Sequence, residues 1–121
     1  MFFAKKEEDN LIDTLRKIPV HDSAFSKLEY KDGTLTVLLN NFDKKIQMIF
    51  KQLSYSAFHP SSDWEGDESI YSFAVIKDST EINNLFLLDK KDYLDCMFFV
   101  FEMFSGSKFQ IVCKELILNV E

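Results

Sequence analysis

The chain has 121 residues, 46% of them hydrophobic, with 13 phenylalanines but only 3 glycines and 2 prolines. That suits one domain with a real core and excludes disorder and long linkers. Acidic residues outnumber basic ones 20 to 14, a net charge of −6, which opposes the basic footprint of a nucleic-acid binder, and no run of about 18 uncharged apolar residues predicts a membrane span.

Residues 4–18 read as a helix. Leu11, Leu15 and Ile18 recur at i, i+4, i+7, with Ile12 beside them. Glu7, Glu8 and Asp9 precede Arg16-Lys17, the order the helix dipole favours, and Pro19 ends the segment. Residues 20–121 then read as an antiparallel sheet. Asp32-Gly33 between alternating apolar segments is a hairpin signal, with Leu28 and Tyr30 before it and Leu35, Val37 and Leu39 after it. Asn40-Asn41 and Asp43-Lys44-Lys45 form the next turn. A long strand follows, from about Ile46 to Phe58. Ile46, Met48 and Phe50 share one parity and Leu53, Tyr55 and Ala57 the other, so a bulge or bend belongs near Lys51-Gln52.

His59 to Ser69, HPSSDWEGDES, reads as a loop, and Ile70 to Lys77 as a strand with Tyr71, Phe73 and Val75 on one face. Ser79 to Asp92 fits a helix or a short strand. Cys96 to Phe104 is apolar at both parities, as a central strand covered on both faces would be. Ser105-Gly106-Ser107 turns it back, and a second parity change predicts a bulge near Lys114-Glu115. The expected fold is therefore α+β and mostly β. One N-terminal helix lies on a curved, mainly antiparallel sheet of about six strands, a half-barrel or a sandwich, in a single domain spanning 1–121.

With that turn, Cys96 mirrors a position near Leu116, three residues or about 10 Å from Cys113 at roughly 3.3 Å per residue, too far for a disulfide. Both cysteines are expected to be buried thiols of a reducing compartment. The segment MFFAKKEEDN, apolar first and charged second, reverses the order of a signal peptide. A cytoplasmic location is the expectation.

His21-Asp22 is the first candidate for chemistry. A His-Asp dyad needs the carboxylate to hold the imidazole, whereas neighbours in an extended strand point to opposite faces. The pair is thus read as structural, with Asp22 forming a local Asx-type turn at the sheet entrance. Two histidines, His21 and His59, and two cysteines, all far apart, lack zinc-site spacing. Asp63-x-Glu65-x-Asp67 starts like a calcium loop, but Glu68 stands where Gly is needed and Ala74 where the bidentate Glu is needed. Gly33, Gly66 and Gly106 are too scattered for a nucleotide fingerprint, and no G-x-S-x-G is present. No catalytic residue, metal or cofactor is expected; a small hydrolase using the acidic loop is the weaker alternative. Trp64, the sole tryptophan, lies among Asp63, Glu65, Asp67 and Glu68. An aromatic anchor ringed by charge is typical of protein-recognition surfaces, which makes these five residues the candidate binding site. The competing reading folds Trp64 back onto the sheet.

The opening Ile18-Pro19-Val20-His21-Asp22-Ser23, followed by a strand, an Asp-Gly turn and a strand, resembles small bacterial β-rich domains with a P-x-H-D opening. So does the closing strand Phe109-Gln110-Ile111-Val112-Cys113-Lys114-Glu115-Leu116. That group includes YxiG-like proteins and immunity proteins of polymorphic toxin systems. The resemblance implies a curved antiparallel sheet and a non-enzymatic, protein-binding role such as toxin neutralisation. It implies no catalytic residue. Against a basic toxin, an acidic inhibitor gains association rate. The alternative partner is a second copy, held through an apolar sheet face.

Overall fold

The computed structural model describes residues 1–60, 69–77 and 95–121. Among these, one helix packs on a mainly antiparallel sheet of seven strands: β1 (Phe2–Ala4), α1 (Glu8–Leu15), β2 (Ala24–Lys31), β3 (Thr34–Asn41), β4 (Lys44–His59), β5 (Ile70–Ile76), β6 (Met97–Met103) and β7 (Lys108–Val120). The sheet runs β2-β3-β4-β7-β6-β5, with β1 added to β7, and it is open, with β2 and β5 as its edges. The α+β class and the antiparallel, curved sheet follow the sequence pattern. Ser79 to Asp92 lies outside the described residues.

The helix is shorter than its periodicity suggests. Phe2–Ala4 pairs with β7, Phe3 facing Leu116, and a tight 3-10 turn over Lys5–Glu7 separates this strand from α1. The extra strand arises because β6 ends opposite Cys113, leaving the second half of β7 with an open flank. Pairing there buries Phe3 in the core. The Glu7 carboxylate accepts from the Ala4 N–H at 2.6 Å, and the Lys5 ammonium lies 2.6 Å from the buried Glu8 carboxylate, so the first turn is tied down. Leu11 faces the core with Leu15 and Ile18 beside it, as the spacing requires.

Asp32 and Gly33 both adopt positive φ, +51° and +74°, the two-residue hairpin turn that matches strand twist. Leu35, Val37 and Leu39 on β3 then face Phe50, Met48 and Ile46 on β4, and Met48 and Phe50 face Leu118 and Leu116 on β7. All of these are buried, giving one continuous apolar row across three strands.

The bulge expected near Lys51-Gln52 lies slightly later, as a register shift between Leu53 and Tyr55, and β7 keeps its register with β4 through Lys114-Glu115, where the second bulge was expected. Lys51 pairs with Glu115 and Leu53 with Cys113, so Gln52, at φ +53°, stands opposite Lys114, and both strands bend at one point. Gln52 Nε2 donates to Glu115 Oε1 across the bend at 3.1 Å. Below it β7 pairs with β6; above it β7 pairs with β1. The bend folds the sheet onto itself. Phe25 on β2 meets Phe101 on β6 edge to face, with centroids 5.2 Å apart, although β3, β4 and β7 lie between those strands. β6 is buried on both faces, as expected: Met97, Phe99 and Phe101 join the main core, while Phe98, Val100 and Cys96 form a second cluster with Val112.

Both cysteines are buried thiols, and neither is in a disulfide. The sequence argument misplaces their register. Met97, not a residue three positions away, pairs with Cys113, so the thiols are separated by facing opposite sides of the sheet rather than by distance along it. Burial, reinforced by Cys96 nearby, pushes the Cys113 thiol up to about 12. Among the described residues no helix is long and apolar enough to cross a membrane.

Candidate functional site: an exposed aromatic corner

The Pro19–Ser23 segment joins the two edges of the sheet. The Asp22 N–H donates to the Ile70 carbonyl and the Ile70 N–H to the Ser23 carbonyl, each at 2.8 Å. Behind this bridge the Pro19 carbonyl accepts from the buried Ser23 Oγ at 2.7 Å and from Asn41 Nδ2 at 2.8 Å. Asn41 Nδ2 also reaches the His21 carbonyl, at 3.2 Å. Three segments distant in sequence are thereby clasped at one corner.

The clasp corrects the extended-strand reading of His21-Asp22. The residues occupy a turn, Asp22 at φ +68°, a conformation that Asp tolerates better than most residues. Their side chains lie on the same side, His21 Nε2 being 3.5 Å from Asp22 Oδ1. His21 Nδ1–H donates to the Tyr71 carbonyl at 2.6 Å. With one ring nitrogen on a carbonyl and the other turned to a carboxylate, the imidazole ties β5 to the turn. The local side-chain bond expected of Asp22 is made by Ser23 instead.

Tyr71 also departs from expectation. Alternation puts it on one face with Phe73 and Val75, but a bulge between Ile70 and Ser72 shifts the register of β5 against β6. Phe73 and Val75 pack on the core with Ile70, whereas Tyr71 turns outward. Re-aiming a side chain is what such a bulge does. Phe104, in the β6–β7 turn, is held by its N–H on the Ser69 carbonyl at 3.0 Å. The rings of His21, Tyr71 and Phe104 touch pairwise, with centroids 5.3 Å to 5.9 Å apart. Yet Tyr71 is 55% exposed, Phe104 47% and the His21 side chain 57%. Phe42, next to the clasping Asn41 in the β3–β4 turn, is 98% exposed.

The other candidates fall elsewhere. Asp63, Trp64, Glu65, Asp67 and Glu68 lie outside the described residues. His59 Nε2 sits 3.0 Å from Gln110 Oε1, at the end of β4. A cavity of about 350 Å³ opens beside Lys45, Gln47 and Asn119 and is lined by neither histidine nor cysteine. Among the described residues no three His, Cys, Asp or Glu side chains are grouped to hold a metal. Sequence reasoning singled out His21 but missed Tyr71, Phe104 and Phe42. For Phe42 a signal existed: a phenylalanine inside a turn-forming Asn-Asn-Phe-Asp-Lys-Lys stretch has no core to face.

No family model matches the chain, and a search of curated proteins returns no significant match.

Proposed function

We propose that this chain is a non-catalytic protein-binding domain that receives its partner on the aromatic corner. The observation that carries the reading is the contact of three rings, from the Pro19–Ser23 turn, β5 and the β6–β7 turn, that remain half-exposed. Rings held rigidly by backbone bonds, yet left in water, present apolar area at little further entropic cost, which is what binding hot spots require. His21 and Asp22 serve as the scaffold that fixes the corner. The net charge of −6 favours a basic partner, and the P-x-H-D resemblance supports the narrower reading of a toxin-neutralising immunity protein, with Asp63, Trp64, Glu65, Asp67 and Glu68 as a second contact.

The test is capture from the source organism with three baits: the wild type, Tyr71→Ala/Phe104→Ala, and a variant reversing Asp63, Glu65, Asp67 and Glu68. A partner held by the wild type and lost by the aromatic double variant is expected. Equal recovery by wild type and double variant refutes the corner as the site. Loss only on charge reversal moves it to the acidic stretch.

A further inference from the structure

His21 and Asp22 leave a gap in the hydrogen bonding of the aromatic corner. The Tyr71 carbonyl can only accept, so its 2.6 Å contact with His21 Nδ1 fixes a proton on that nitrogen. In the neutral ring Nε2 is then a lone pair. It faces Asp22 Oδ1 at 3.5 Å, and a carboxylate oxygen is an acceptor as well. That separation exceeds the roughly 2.7–2.9 Å of a charged N–H···O bond, so the geometry is that of two acceptors side by side with no donor between them. Both side chains are open to water, His21 at 57% and Asp22 at 61%. Among the described residues no lysine or arginine forms an ion pair with Asp22.

We infer that this corner takes an arginine side chain of the basic partner. This rests on the protein-binding reading above and names the anchor that the partner brings. A partner covering the Tyr71 and Phe104 rings also strips water from the two acceptors beside them. An apolar anchor would leave both unpaired, so the partner has to supply donors. A guanidinium presents its N–H groups as a planar fork. One N–H donates to His21 Nε2 and a second to Asp22 Oδ1, and the carboxylate gains a cation that the fold does not provide. The Tyr71 and Phe104 rings, centred 5.9 Å and 5.6 Å from the imidazole, flank the same position. Guanidinium is weakly hydrated and attracted to aromatic rings, whereas a lysine ammonium is a compact, strongly hydrated charge.

The experiment titrates the full chain with three capped tripeptides, followed by NMR at about pH 8, above the ordinary imidazole range. Each has glycine on both sides of an arginine, a lysine or citrulline, the uncharged isostere of arginine. The readouts are the His21 ring nitrogens, told from those of His59 by a His59→Gln variant, and the Tyr71 ring protons. Before titration His21 Nε2 is expected to carry no proton. The arginine peptide is expected to bind with Kd on the order of 10 mM, about tenfold more tightly than citrulline and about threefold more tightly than lysine. Asp22→Asn suits the left-handed turn, and its amide donates to Nε2, closing the gap. It should melt with the wild type, bind the arginine peptide about tenfold more weakly, and lose the partner when used as a capture bait. A protonated Nε2 at the start, citrulline or lysine binding as tightly as arginine, or undiminished binding by Asp22→Asn each overturns the arginine anchor. A partner captured by the Asp22→Asn bait but lost by Tyr71→Ala/Phe104→Ala overturns it too, while keeping the corner as the protein-binding surface.

Discussion

The contact between Phe25 and Phe101 gives the sharpest test of how the sheet folds. Four strand-to-strand steps separate β2 from β6 in the order β2-β3-β4-β7-β6. At about 4.8 Å per step, a flat sheet would hold these residues roughly 19 Å apart. The bend at Gln52 and Lys114 instead brings the rings to 5.2 Å, edge to face at 64°. Phe101 is fully buried and also touches Phe73, at 4.3 Å, and Phe109, at 6.2 Å. Phe101→Leu should cost about 1–2 kcal/mol, and Phe25→Leu, at a half-buried site, about 1 kcal/mol. Because an aromatic pair contributes beyond its area, the double variant should show a coupling of about 0.5–1.5 kcal/mol. The assay is urea unfolding followed by far-ultraviolet circular dichroism on the four proteins, with a common m-value as the check for two-state behaviour. Additivity within about 0.3 kcal/mol, with both single changes destabilising, would show that β2 does not reach β6 and that the corner is not assembled as described.

The other predictions concern the clasp, the bend and the buried thiol. Asn41→Ala removes both bonds to the Pro19 and His21 carbonyls. It should lower stability by about 1–3 kcal/mol and speed hydrogen exchange at the Asp22 and Ile70 amides, whereas unchanged exchange there would mean the clasp is not cooperative. Ser23→Ala deletes a fully buried hydroxyl bond to Pro19, for a loss of about 1 kcal/mol by denaturant titration. At Gln52, φ +53°, glycine should be tolerated while valine costs about 1–2 kcal/mol, and equal melting of the two would refute the left-handed bend. For Cys113 the folded thiol titrates at about 12 against an ordinary 9.0. Below pH 9 both states hold the proton and there is no effect. Between pH 9 and about 12 only the unfolded state releases it, so stability should fall there by up to about 1.4 kcal/mol per pH unit relative to Cys113→Ala. Parallel pH profiles of the two proteins would contradict the burial.

Much of the sheet is legible from local pattern. Asp32-Gly33 declares its hairpin, and the rows Leu35-Val37-Leu39 and Ile46-Met48-Phe50 declare their inward faces because strand side chains alternate. Even the bend is readable, since a strand whose apolar parity reverses must break its pleat. What escapes the pattern is set by distant partners. Phe2–Ala4 is too short to show an alternation and runs on into helical spacing; only β7, over a hundred residues away, makes it a strand. Tyr71 alternates correctly with Phe73 and Val75, and the bulge that expels it is opposite Met103 and Glu102, whose register depends on the β6–β7 turn. The aromatic corner is harder still. Its rings come from two connections and an edge strand, each ordinary by itself, and they meet only because the bend curls the sheet.

Strand β7 has a further bearing, on the order in which the molecule can form. It is the last of the strands along the chain, yet it holds β4 on one side and β6 and β1 on the other. During synthesis the β2-β3-β4 meander and the β5-β6 pair emerge as separate pieces, each with a long apolar flank and no neighbour. Within the sheet they are joined through β7, so the strand ladder is complete only after its residues have cleared the ribosome. Such late closure through contacts remote in sequence is slow, and the waiting edges are open to mispairing. A nascent chain stalled before Lys108 is thus expected to be recognised by chaperones as two unpaired half-sheets, and its release to completion is the step that makes it a single fold.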